Sequence, residues 1–152
     1  MQQPFQHDTN RFSVVTEQSG KSPVILFMDD EESILDSFGK LLEMNGYIVY
    51  AACNGEQAIA AYSQVLSSKQ RVDVAVIDLT IPDGMGGLET VARIKEIDPG
   101  VRAIATTGHF QETLKEEYKK YGFAGFLPKP YILKELLEAI NQVIRMERDN
   151  PE

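Results

Sequence analysis

Cysteine, basic residues and long apolar runs are what this chain has least of. Cys53 is the single cysteine. That excludes an internal disulfide and suits a reducing cytoplasm, the expected location. Preceded by Ala51 and Ala52, the thiol reads as a small, half-buried filler. Lys and Arg number 15 against 23 Asp and Glu, for a net charge of -8. A nucleic-acid surface needs a basic stripe to displace counterions from phosphates, so nucleic acid is not expected as a partner. The nearest basic cluster, Lys115, Lys119 and Lys120, is interleaved with Glu112, Glu116 and Glu117 and reads as a solvated helix face. No apolar run approaches the ~20 residues of a membrane span, and the amino terminus lacks the basic-then-apolar plan of a signal peptide. Membrane insertion is therefore not expected either. A Gly-x-x-x-x-Gly-Lys-Ser/Thr loop is also missing, which argues against ATP as a direct phosphate donor.

What is present is ordinary for a globular protein, 43% hydrophobic and 25% charged over 152 residues, enough for one domain with a real core. Residues 1–22 are rich in Gln, Ser, Thr and Asn and read as a flexible tail or linker; 148–152 read as a polar tail. Between them, apolar strands alternate with amphipathic helices. Val24–Met28 is a continuous apolar run ending in Asp29-Asp30, where Asp30 can cap the following helix, although capping needs one acid and here there are two. The next helix carries Ile34, Leu35, Phe38, Leu41 and Leu42 and stops near Asn45-Gly46. Gly39 inside it implies either close packing or tolerance of its propensity cost. Tyr47–Ala52 is a second strand, and Ala58, Ala61, Tyr62 and Val65 mark a second helix. The third strand, from Asp73, ends in Asp78 and a Pro/Gly loop, and a third helix closes at Asp98-Pro99-Gly100. Arg102–Thr107 is a fourth strand. Gln111 to Tyr121 form a mostly charged helix whose thin apolar stripe implies weak attachment. A short strand, Ala124–Leu127, leads to Lys129-Pro130 and a last apolar-faced helix.

Five such βα units imply right-handed crossovers and a parallel sheet. Parallel strands share a carboxyl end, so Asp29, Asp30, Asp78, Thr106, Thr107 and Lys129 must converge on one edge. Asp78 alone could be a turn residue before Pro and Gly. The convergence makes it a candidate nucleophile instead. Three carboxylates in one place repel by roughly 4 kcal/mol per close pair at an effective dielectric of 20, so a cation must offset them. Lys129 is one; an oxygen-only ligand set points to magnesium (Mg2+) or manganese (Mn2+) as the other. Metal, ammonium and hydroxyl around a carboxylate are the parts phosphoryl transfer uses, with the carboxylate forming an acyl phosphate.

Asp29-Asp30, Asp78 followed by Leu-Thr-Ile-Pro-Asp-Gly, Thr107-Gly108 and Lys129-Pro130 together resemble the motif set of response-regulator receiver domains of two-component signalling, over residues 23–147. The resemblance implies a flavodoxin-like (βα)5 three-layer sandwich with strand order 2-1-3-4-5. It implies that Asp78 accepts phosphate from the phosphohistidine of a histidine kinase or its phosphotransfer domain. Asp30, Asp78 and the carbonyl of Thr80 would hold the metal, with Asp29 acting mainly through a water. Thr107 would close on the phosphoryl group, Lys129 would pair with its oxygens, and Lys129-Pro130 would be cis. Phe126 lies at the family's switch aromatic, with plain core packing as its alternative; Thr107 and Phe126 would carry the change to a downstream protein effector. Thr80 and His109 would tune dephosphorylation. The local sequences around Asp78, His109 and Phe126 look most like receivers of hybrid sensor histidine kinases, with a stand-alone response regulator as the alternative. A homodimer is left open. A phosphatase with an aspartyl-phosphate intermediate would carry a second Asp at position 80, where this chain has Thr, and a pseudo-receiver would bind partners without phosphorylation.

Overall fold

The structure is a computed structural model that describes residues 21–80, 85–108 and 112–149. In chain order the elements are β1 (Val24–Met28), α1 (Glu32–Met44), β2 (Ile48–Ala52), α2 (Gly55–Ser67), β3 (Val74–Asp78), α3 (Gly87–Ile97), β4 (Ala103–Thr107), α4 (Glu112–Glu117) with a 3-10 turn (Tyr118–Tyr121), β5 (Gly125–Pro128) and α5 (Leu133–Asp149). The strands form one parallel sheet in the order β2-β1-β3-β4-β5, as expected from the alternation of strands and helices. No helix among the described residues is long and apolar enough to cross a membrane.

The period of two along the central strands sorts the core onto two faces. Leu26, Met28, Ala75 and Ile77 point toward α2 and α3, packing with Ala58, Tyr62, Val91 and Ile94. Ile25, Phe27, Val74 and Val76 point the other way, against Leu42 of α1 and Leu136, Ile140 and Val143 of α5. Because β1 and β3 are buried at every position, β1 and Val74–Ile77 of β3 read as unbroken apolar runs. At the amino-terminal ends of the strands, Arg102 donates from Nη1 to the carbonyls of Val143 and Ile144 at 3.1 and 3.5 Å, tying α5 to β4.

Several local expectations change. Asp73 precedes β3 rather than belonging to it, and its Oδ2 accepts the N–H of Val24 at 2.7 Å. Asp30 does not cap α1: Glu31 is the cap residue, without a side-chain bond, and its N–H goes to Asp29 Oδ1 at 2.9 Å. The fourth helix is shorter than the charge pattern suggested, tightening to 3-10 at Tyr118 and stopping at Gly122 in the left-handed region (φ 99°). A Cβ on Gly39 would meet nothing within 4 Å, so that glycine is tolerated rather than required by packing.

Candidate functional site

Topology carries the chemistry to one edge of the sheet. Met28 pairs with Ala52 and Ile77, Asp78 with Thr106, and Thr107 with Pro128. The residues at and just beyond these ends, Asp29, Asp78, Thr107 and Lys129, therefore lie side by side. The backbone N–H of Asp29 is fixed by Ala52 O at 3.0 Å, that of Leu79 by Thr106 O at 2.8 Å, and that of Lys129 by Thr107 O at 2.9 Å. The Lys129-Pro130 peptide is cis, as the resemblance implied.

Asp29 and Asp78 are both fully buried, whereas Asp30 is exposed. Lys129 reaches between the two buried acids, with Nζ 3.1 Å from Asp78 Oδ2 and 2.8 Å from Asp29 Oδ2. The ammonium is thus in ionic contact with both acids at once. Asp78 Oδ1 accepts the N–H of Thr80 at 2.9 Å. The hydroxyls of Thr80 and Thr107 stand 3.0 Å apart.

Burial pushes the Asp78 carboxyl up to about 6, with the charge of Asp29 adding to the rise; the Thr80 N–H and Lys129 oppose it. For Lys129 burial favours the neutral amine, but the two carboxylates outweigh it and raise the ammonium above its ordinary value.

Asp29, Asp30 and Asp78 each offer a carboxylate oxygen, and these oxygens lie within 4.8 Å of one another. An all-oxygen set of this kind suits a hard divalent cation. The residues present therefore fit the metal that the sequence suggested.

Residues 25–141 match the response regulator receiver domain family. The chain belongs to that family. Sporulation initiation phosphotransferase F of Bacillus subtilis is 29% identical over 81% of this chain and 94% of its own length. The chemotaxis protein CheY of the same organism is 31% identical over 79% of this chain and 96% of its own. Among solved structures, a CheX-CheY-BeF3-Mg+2 complex from Borrelia burgdorferi superposes with a TM-score of 0.75 over 84% of this chain and 92% of that one; at 23% identity this likeness concerns the fold. The acidic cluster is thus that of a receiver domain, a module of two-component phosphorelay signalling.

Of the site residues named from the sequence, the structure brings together Asp29, Asp30, Asp78, Thr80, Thr107 and Lys129. Phe126 pairs with Ala105 in the sheet and is partly buried, its ring stacked on Tyr118 with centroids 5.9 Å apart. His109 lies outside the described residues, as do residues 81–84 of the loop after β3. Sequence reasoning missed the contact between the Thr80 and Thr107 hydroxyls, because nothing in spacing says which way a loop hydroxyl points. It also missed Tyr131, whose buried ring tilts onto Phe38 at 5.0 Å and whose hydroxyl has no partner among the described residues.

Gly87 fixes how closely α3 approaches Asp78. A Cβ there would stand 2.7 Å from the backbone oxygen of Asp78 and 2.9 Å from the Cα of Leu79, and backbone cannot step aside. Gly87→Ala is expected to lose about 1–3 kcal/mol of stability by overpacking. Gly39→Ala, with open space around it, should gain up to about 1 kcal/mol. Paired urea denaturation curves check both signs.

Proposed function

We propose that this chain accepts a phosphoryl group on Asp78 from the phosphohistidine of a histidine kinase or phosphotransfer domain. The observation that carries the reading is the setting of Asp78: buried at the end of β3, gripped by the Thr80 N–H and Lys129, with Asp29 and Asp30 alongside. A carboxylate oxygen attacks phosphorus, the P–N bond breaks with its electron pair returning to the imidazole, and an acyl phosphate remains. Asp29, Asp30, Asp78 and the carbonyl of Thr80 would hold a magnesium or manganese ion, which would neutralise charge on the transferring group. Lys129 neutralises further charge and holds Asp78 toward its ionised form.

Two relatives are covered over 94% and 96% of their own length, which favours the likeness to stand-alone regulators over that to hybrid kinases. The hybrid-kinase origin expected from local sequence has no comparable support. Thr107 and Phe126 transmit the change: as Thr107 turns to the phosphoryl group, Phe126 leaves its stack on Tyr118 and the 3-10 turn that carries Tyr118 adjusts toward a protein effector.

The test is intact-mass analysis with a small-molecule phosphodonor and magnesium, followed by borohydride reduction and mapping. One phosphoryl adduct is expected, mapped to Asp78 in the tryptic peptide from Val72 to Arg93 and lost when the metal is chelated. An adduct on any other residue overturns the assignment.

A further inference from the structure

We propose that a cavity at the amino-terminal edge of the sheet is the docking site for this chain's own segment Phe12-Ser-Val-Val-Thr-Glu17. That edge is opposite the one carrying Asp78, so the inference goes beyond the function proposed above and does not depend on it. The cavity spans about 370 Å³ between the carboxyl ends of α2 and α3 and the starts of β3 and β4. Leu66, Val72 and Ile97 give it apolar walls, and Arg71, Arg102 and Asp98 give it charge. Asp98 is held from both sides: Oδ2 accepts the hydroxyl of the buried Tyr62 at 2.6 Å, and Oδ1 accepts the N–H of Gly100 at 3.1 Å. These bonds preform the floor. Ile97, at 43% exposed, leaves a large aliphatic side chain at the mouth. A concave site of this size, apolar with a few placed polar groups, is of the kind that takes a ligand.

The place where the chain enters the fold selects the occupant. Val24 donates its N–H to Asp73 Oδ2 at 2.7 Å and accepts the N–H of Asp73 at 2.8 Å, so the start of β1 is clamped to the residue that follows Val72 in the cavity wall. Residues 1–20 lie outside the described ones and join the fold at this same edge, through Lys21. The seven residues from Val14 to Lys21 reach about 23 Å when extended, enough to turn back to a wall beside the entry point. Phe12, Val14 and Val15 are the apolar residues nearest the fold in an otherwise polar stretch, and on an extended segment Phe12 and Val14 share one face. Glu17, the one charged residue of the segment, is opposite in sign to the two arginines at the cavity. That attraction is of charge for charge and leaves Arg71 on Asp73 and Arg102 on the carbonyls of α5. A short tether gives the segment a millimolar effective concentration, so a modest apolar contact suffices to hold it, which favours the chain's own segment over that of a second copy.

The test places a nitroxide on the full chain through Thr9→Cys in a Cys53→Ser background and reads amide broadening by NMR. Leu66, Val72, Ile97 and Gly100 are expected to broaden, while Asp29 and Leu79 at the opposite edge stay sharp. Val14→Asp, which alters nothing in the described fold, should weaken the broadening at those four amides about threefold or more, as expected for losing one aliphatic contact from a tethered equilibrium. Ile97→Asp should weaken it from the cavity side. A mixture of nitroxide-bearing chain with isotope-labelled chain carrying no nitroxide should show no broadening. Equal broadening in Val14→Asp and its parent, broadening centred away from the cavity, or broadening between copies in the mixture each overturns the proposal.

Discussion

Asp78→Asn is expected to abolish the phosphoryl adduct and, in metal-free buffer at neutral pH, to make the fold more stable. The two effects have one origin. Burial, with the charge of Asp29 added, raises the Asp78 carboxyl from its ordinary 3.8 to about 6, more than the Thr80 N–H and Lys129 can offset. The folded state thus holds this proton more tightly than the unfolded chain does. The stability it contributes is complete below about pH 4 and is lost as pH rises through about 6. At pH 7 the ionised group costs of order 1–3 kcal/mol relative to its protonated form. An amide at position 78 fills the same space, carries no charge, and leaves Lys129 paired to Asp29. Denaturation curves between pH 4 and pH 8 with a chelator present should show wild type losing stability relative to Asp78→Asn. Parallel curves would sink this account of the pocket. The strain is functional, because a destabilised, desolvated carboxylate is the one that gains most from cations and from phosphorylation.

Lys129→Met should cut the rate of phosphorylation by a small-molecule donor about 100- to 1,000-fold, the usual effect of removing one preorganised charge from such a site. Methionine approximates the length of the lysine stem but leaves Asp29 and Asp78 buried together with no ammonium between them. Lys129 lowers the Asp78 pKa, so its removal drives that carboxyl still higher, and less of it is ionised at pH 7. Proton uptake also relieves the repulsion, which is why the variant should fold while failing to react. Lys129→Arg should fall between, since a planar guanidinium cannot replace a compact ammonium in contact with two acids. Initial rates from an intact-mass time course decide it. A rate within threefold of wild type for Lys129→Met would remove Lys129 from the chemistry.

Much of the site is legible in the sequence because the fold is periodic and parallel. The apolar runs Val24–Met28 and Val74–Ile77 announce strands covered on both sides, and the helices between them force a common carboxyl edge. Whatever follows those strands must meet there, so Asp29, Asp30, Asp78, Thr107 and Lys129 could be grouped from order alone. The limits came where order stops constraining side chains. Asp29 and Asp30 are neighbours in sequence, yet one is fully buried and the other exposed, and the helix cap passed to neither side chain. The fourth helix read as one continuous charged helix, while the structure divides it at Tyr118, where stacking on Phe126 and the left-handed turn at Gly122 outweigh local propensity.

By itself, then, the sequence determined the alternation of strands and helices, the parallel sheet, the family and the residues that gather at its edge, since each of these follows from hydrophobic period and chain order. Tertiary structure decided how those residues use one another: that Lys129 bridges two buried acids, that Asp78 is held near the point of protonation, that Gly87 brings α3 against its backbone, and that Thr80 touches Thr107. The physical reason is range. Burial patterns are written locally along the chain, whereas desolvation, charge pairing and the direction of a hydroxyl depend on atoms from four strands arriving at one place.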